Sequence, residues 1–171
     1  DHTAGKDSLG YSLVTSAILS GDYVFPFSIT CYYREEDCNH KEFMTKNEIA
    51  AEMIRSVKYN SKIRLVIFYT WYSNKIVIGA CKAARKDYIT QLKSNRNVTI
   101  NNCRNAVRSF VKYIKKEEWE LTIFKDSTFR YFSTSAFISK IGNVHLIYCQ
   151  KYDTLKEKWG DTHFLISNLT N

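Results

Sequence analysis

The side chains best suited by type to do chemistry lie in two short stretches. In "RLVIFYTWYSNK", residues 64–75, Tyr69, Trp71 and Tyr72 follow the apolar run Leu65 to Phe68. In "LKSNR", Lys93, Asn95 and Arg96 follow a second apolar run. The first group offers flat rings that can stack on an unpaired base, and the second offers cations and an amide that suit phosphate oxygens. Neither group contains an acid. The end of a buried strand is a common place for a catalytic carboxylate, yet here the strand ends in a phenol, a group that is neutral at physiological pH and supplies no anionic metal ligand.

Charge is concentrated around the second group. The formal net charge is +8, and residues 82–116 hold ten Lys and Arg against one acid, Asp87, so the rest of the chain nearly cancels. Lys112, Lys115 and Lys116 would extend a phosphate track begun by Lys93 and Arg96. Such a concentration suits a polyanion, because each phosphate neutralised releases counterions. A run of charge is also more often a solvated face kept for solubility, and composition leaves both readings open.

Metal and disulfide chemistry find less support. Cys31, Cys38, Cys81, Cys103 and Cys149 are odd in number, scattered and without a CxxC pair, which favours reduced thiols. Cys31, Cys38 and His40 lack a fourth ligand at ordinary zinc spacing, and His2, His145 and His163 form no ligand pattern. Asp153 and Asp161 read as exposed turn acids. Apolar residues make up 44% of the chain and there is a single proline, which together exclude disorder. No apolar run approaches the roughly 20 residues of a membrane span, and no basic-then-apolar leader is present. The chain therefore reads as one cytosolic domain, nucleoid-associated in a bacterial cell or nuclear in a eukaryotic one. Its first residue is Asp and its last segment stops just after a strand pattern, so both ends look cut.

The elements that must position these residues follow from periodicity. A strand from Tyr11 to Leu19, a turn at Gly21-Asp22 and a second strand, "YVFPFSITCYY", predict an antiparallel hairpin, with Gly5 and Gly10 as turn material ahead of it. Pro26 cannot donate to a ladder, so that strand lies at an edge or carries a bulge. Thr45 and Glu48 form a capping box that opens a helix with an apolar stripe of Ile49, Ala50, Met53, Ile54 and Val57. A strand over 63–69, a helix from an N-cap at Ser73 to Ala84, and the strand "DYITQLK" make a βαβ unit with a parallel pair. Residues 103–116 are ambiguous between helix and strand, and 119–125, 128–138, 143–152 and 162–168 read as strands. Large aromatics at a strand-to-helix turn usually cap a core, which favours an inward Trp71 and leaves Tyr72 open.

Five segments, taken in order, resemble a known family. "FYTWYSNK", followed about twenty residues later by "DYITQLKSNR", is similar to the core of insertion-sequence transposases with a DDE, RNase H-like catalytic domain. "DHTAGKDSLGYSLVT" resembles that family's Asp-His-Ser segment, "TKNEIAAEMI" its helix before the Asp-bearing strand, and "HFLISNLT" the strand before its final catalytic helix. Residues 97–160 match only in general character.

The resemblance implies an α/β fold: an RNase H-like mixed sheet with flanking helices and an inserted antiparallel β-rich segment. Residues 1–96 would be a partial core lacking its first strand and last helix, and 97–171 the insertion and returning strand. It also implies two Mg²⁺ ions held between carboxylates in the intact family enzyme, for cleavage and strand transfer of DNA at transposon ends. The family's second Asp falls on Tyr69. Its first Asp would lie before residue 1 and its Glu after Asn171, and Asp1 does not replace the former because the residues after it match a downstream segment. The expectation is thus a transposase fragment with no cofactor of its own, inactive alone, whose partner is DNA and whose full-length form is a homodimer, with no membrane involved. The alternatives are a non-catalytic nucleic-acid-binding module derived from a transposase, and a protein-interaction domain using the exposed edge of the β-rich part.

Overall fold

The structure is a computed structural model, and it describes residues 11–38, 42–58 and 61–169. Asp1, His2, Gly5, Gly10, His40 and Asn171 lie outside the described residues. The fold is α/β, with a mixed sheet and two helices on one face, in line with the RNase H-like expectation.

Strands β1 (Ser12–Ser20) and β2 (Tyr23–Tyr32) form a separate two-stranded antiparallel sheet. Gly21 takes φ +59 in the turn between them, a left-handed backbone that glycine adopts without strain. The register slips between Ser16 and Ala17, whose partners are Ser28 and Pro26, so Phe27 is an extra residue opposite. This is the bulge expected of a proline that cannot donate. The hairpin is anchored by Val14, which packs with Ile49 and Met53 of α1 (Lys46–Ser56). That helix starts where the capping box predicts: Glu48 N–H donates to Thr45 Oγ1 at 3.3 Å, and Thr45 N–H donates to Glu48 Oε2 at 2.8 Å.

The large sheet begins with β3 (Leu65–Phe68), α2 (Lys75–Ala83) and β4 (Asp87–Gln91), and β3 pairs with β4 in parallel. The N-cap of α2 is Asn74 rather than Ser73. Residues Thr70–Tyr72 first make a single 3-10 turn, and Ser73 is spent closing it, its N–H donating to Thr70 O at 3.2 Å. Asn74 Oδ1 then accepts from Ile76 and Val77 N–H at 2.9 and 3.2 Å.

Beyond β4 the chain adds β5 (Asn97–Ile100), β6 (Cys103–Ala106), β7 (Glu120–Phe124), β8 (Ser127–Ile138), β9 (Gly142–Asp153), β10 (Lys158–Trp159) and β11 (His163–Ser167). The spatial order is β3-β4-β11-β9-β8-β5-β6, with β7 on β8 and β10 on β9. The returning strand β11 lies against β4 and joins strands from both sides of residue 96 into one sheet. The ambiguous stretch 103–116 resolves into β6 followed by a 3-10 helix, Val107–Tyr113.

One face of this sheet is the core. Val66 and Phe68 of β3, Tyr88 of β4, Ile166 of β11, Leu146 and Tyr148 of β9 and Ile138 of β8 pack against Ala51 and Ile54 of α1 and Val77, Ile78 and Cys81 of α2. The other face is open at the β3 side, where Ile67 is 66% exposed. Of the two acids expected in exposed turns, Asp153 is the half-buried last residue of β9, its Oδ1 accepting from Leu155 and Lys156 N–H in the turn that follows, and Asp161 is exposed between β10 and β11. All five cysteines are free. Among the described residues no helix is long and apolar enough to cross a membrane.

Candidate nucleic-acid interface

Because β3 and β4 run in parallel, their C-terminal ends emerge at the same edge of the sheet, and so do the two segments that carry the chemistry. After β3 the 3-10 turn is closed by Tyr72 N–H donating to Tyr69 O at 2.9 Å. The phase of that turn separates neighbours. Tyr72 packs on both apolar clusters, and burial pushes its phenol up from the ordinary value. Trp71, expected inward, is instead 67% exposed. Next along the chain, Asn74 Nδ2 donates to Asn47 Oδ1 at 2.7 Å and ties the start of α2 to α1.

After β4, Leu92 is buried and its N–H donates to Phe164 O at 2.7 Å, which fixes where the strand ends. The chain then turns, Arg96 N–H donating to Lys93 O at 2.9 Å. This turn is clamped from behind: Val107 N–H donates to Arg96 O at 2.8 Å and Arg108 N–H to Ser94 O at 3.2 Å. Lys93, Asn95 and Arg96 are all exposed on it.

Between the two segments lies a cleft of about 720 Å³, which shares the lining residues Thr70, Leu92, Lys93 and Asn95 with a smaller one of about 500 Å³. Trp71, Lys93, Asn95 and Arg96 line it, and Lys93 Nζ sits over the Trp71 ring, 5.7 Å from its centroid. Arg104, Arg108 and Lys140 also reach these walls, and single-segment reading did not name them as site residues. Arg104 arrives on the β5–β6 hairpin and Lys140 on the β8–β9 turn, so only the sheet brings them near Trp71. A local signal for the first was present. Asn101-Asn102, both with positive φ (48 and 63), is the residue chemistry of a tight hairpin turn.

Other expected site residues lie elsewhere. Tyr69 is 80% exposed and does not line either cleft; its ring stands free at the strand end and is not enclosed in a pocket. Lys112 and Lys115 are exposed but line neither cleft; Lys112 Nζ lies over the Tyr113 ring, and Lys115 N–H donates to Glu118 Oε2.

The electrostatics of the cleft are one-sided. Lys93, Arg96, Arg104 and Lys140 line the larger cleft and Lys93 and Arg108 the smaller, with no Asp or Glu in either, and among the described residues none of the five pairs with a carboxylate. Other cations are used internally. Lys86, 4% exposed, donates from Nζ to Lys58 O, Ser61 Oγ and Ile63 O. Arg130 is stacked between Trp119 and Trp159 and donates from Nε to Gln150 Oε1 at 2.6 Å. Burial of that guanidinium pulls its pKa down. Amides, hydroxyls and cations do not fit Mg²⁺, which takes carboxylate and water oxygens in octahedral array. Among the described residues no cluster of His, Cys, Asp and Glu could hold a metal.

An α/β sheet that gathers unpaired cations at its strand ends has the build of a protein that handles nucleic acid. The family whose model matches residues 24–118 is described as "Archaeal putative transposase ISC1217". That match spans more than half of the chain, which therefore belongs to this DDE transposase family. No curated protein matches the chain.

Proposed function

We propose that this chain is a piece of a DDE transposase catalytic domain, that it holds DNA in the cleft at the ends of β3 and β4, and that it does not by itself cut or join DNA. The observation that carries the reading is the set of five cations lining two neighbouring clefts, four on the larger and Arg108 on the smaller, with no carboxylate in either lining. Lys93 and Arg96 take phosphates, Asn95 adds a neutral donor, and Lys112 and Lys115 lie farther along the same basic segment. Tyr69 stands where the family has an Asp, and its exposed phenol offers a divalent cation no carboxylate. The intact family enzyme would supply Mg²⁺ ligands that these residues do not.

Anisotropy titration of a labelled duplex over a range of salt tests the reading. The logarithm of affinity should fall linearly with the logarithm of salt concentration, and Lys93→Ala and Arg96→Ala should each reduce the slope by about 1. An affinity indifferent to salt overturns it. Metal-dependent nicking by the chain as it stands would overturn the claim of inactivity.

A second reading rests on β3, whose outer edge has no partner among the described residues and whose Leu65 and Ile67 are 38% and 66% exposed. An unpaired edge of this kind can add a strand from a partner protein. It predicts binding that ignores salt and the cleft variants alike.

A further inference from the structure

The internal contacts of Arg130, on β8, account for only part of its guanidinium. Trp119, just ahead of β7, and Trp159 of β10 each place a ring centroid 4.5 Å from its Cζ. Trp159 is braced in turn by Tyr152, edge-on with ring centroids 5.2 Å apart. In the plane of the guanidinium, Nε donates to Gln150 Oε1 at 2.6 Å. Gln150 is buried and is itself oriented by Nε2 donating to Thr162 Oγ1 at 2.8 Å. What remains is the outer edge. Nη1 and Nη2 have no hydrogen-bond partner among the described residues, and neither is sealed from solvent. The acids nearest Trp119 in sequence are engaged elsewhere, Glu118 with Lys115 N–H and Glu120 with the Tyr131 hydroxyl, and among the described residues no carboxylate pairs with Arg130.

Holding a long cation still costs rotamer freedom, and here two rings and an amide hold it with its forked edge unmatched. Such an edge fits the paired oxygens of an oxyanion, and a fork already fixed by stacking loses little freedom on gaining them. Its position points to which oxyanion. Thr162 lines the smaller cleft together with Arg108, so one glutamine separates Arg130 from the basic track. We propose that Arg130 is a separate phosphate site, taking a backbone phosphate of a DNA strand that leaves the smaller cleft past Thr162, with Nη1 and Nη2 each donating to one phosphate oxygen. This rests on the DNA-binding reading above and extends it to the β-rich part of the sheet. A carboxylate would satisfy the same fork, but the acid-free clefts beside it and the net charge of +8 favour a polyanion. The two indoles serve to aim the guanidinium, which already occupies the ring faces turned toward it.

Anisotropy titration of a labelled duplex over a range of salt, with Arg130→Gln and Arg130→Lys beside the native chain, tests the site. Arg130→Gln should weaken binding about 10-fold, as expected for loss of one charge-assisted contact, and should reduce the salt slope by about 1. Arg130→Lys keeps the charge and loses the fork, so its slope should match the native chain while its affinity still falls. A second measurement uses the native chain and does not depend on how well Arg130→Gln folds. The side-chain N–H resonances of Arg130, identified by their loss in Arg130→Lys, should shift when the duplex is added. If Arg130→Gln keeps the native slope, whether or not its melting temperature falls, or if the Arg130 resonances stay in place while the duplex binds, the phosphate site is refuted; the cleft reading still stands on Lys93→Ala and Arg96→Ala. If the native chain binds no duplex in a salt-dependent way, both this site and the reading beneath it fall.

Discussion

Strands β3 and β4 are neighbours in one parallel pair and look alike in sequence, since "LVIF" and "YIT" both carry apolar side chains toward both faces. Their surroundings differ. In β4, Tyr88 and Thr90 are buried under α2 and the strand is hydrogen-bonded on both edges, to β3 and β11. In β3, Val66 and Phe68 reach the core, but Leu65 and Ile67 on the opposite face are exposed and the outer edge has no partner among the described residues. An apolar pattern on both faces states what a strand needs and not whether the surrounding chain provides it. The cleft lies between the ends of these two strands, one wall continuing a well-packed strand and the other a half-covered one.

The largest expected contrast is in stability. Tyr88 is fully buried, with Phe68 6.2 Å away ring to ring, and Tyr88→Ala should cost about 3–5 kcal/mol, the range for deleting a large buried aromatic. Ile67→Ser, one strand over, should stay within about 0.5 kcal/mol because the side chain is already in water. Urea midpoints of the two variants measure this. A large loss from Ile67→Ser would mean the open face of β3 is covered in solution and would erase the contrast.

Lys86 tests the join between the two strands. It immediately precedes β4, and its ammonium donates to Lys58 O at 3.3 Å, Ser61 Oγ at 3.1 Å and Ile63 O at 2.7 Å, all on the segment that leads into β3. Removing the donor leaves acceptors with no replacement, and Lys86→Ala should cost roughly 1–3 kcal/mol. Lys86→Met keeps the apolar stem and removes only the hydrogen bonds. If it is as stable as the native chain, the three contacts contribute little and the stem alone matters.

How far these differences can be read in advance depends on how local their causes are. The capping box at Thr45 and Glu48 and the bulge at Pro26 are set within a few residues, and both are legible in the sequence. The βαβ unit and the exposed Lys93-Asn95-Arg96 turn are legible for the same reason, since each lies within one unbroken segment. Trp71 and Tyr72 are not, because both are large aromatics at a strand-to-helix turn and either could cap the core. A single 3-10 turn, unsignalled by any residue type, rotates Tyr72 inward and Trp71 outward. The same turn moves the N-cap from Ser73 to Asn74. Lys140 escapes for another reason: it joins the cleft only through the pairing of β5 with β8, tens of residues apart in sequence, whereas Arg104 lies on the local β5–β6 hairpin.

The smallest expected effect concerns one oxygen atom. The Tyr88 hydroxyl is buried with no partner among the described residues. A buried hydroxyl left unpaired disfavours folding, so Tyr88→Phe should stabilise the chain by about 1 kcal/mol while keeping the ring that β4 needs. It should also alter the alkaline response. Burial, with the negative charge of a Cys81 thiolate adding to it, pushes the Tyr88 phenol up from 10.0 to about 12, and burial pushes Cys81 up from 9.0 to about 12. Between those values the unfolded chain releases protons that the folded chain still holds. The stability contributed by these two groups is therefore full below pH 9.0 and declines as pH rises toward about 12, first through Cys81 and then, above 10.0, through Tyr88. Tyr88→Phe removes the second contribution and leaves the first, so its melting temperature should fall less steeply than that of the native chain above pH 10.0. A variant less stable than the native chain at neutral pH would show that the hydroxyl has found a partner, such as a buried water, and that β4 is held by a bond as well as by packing.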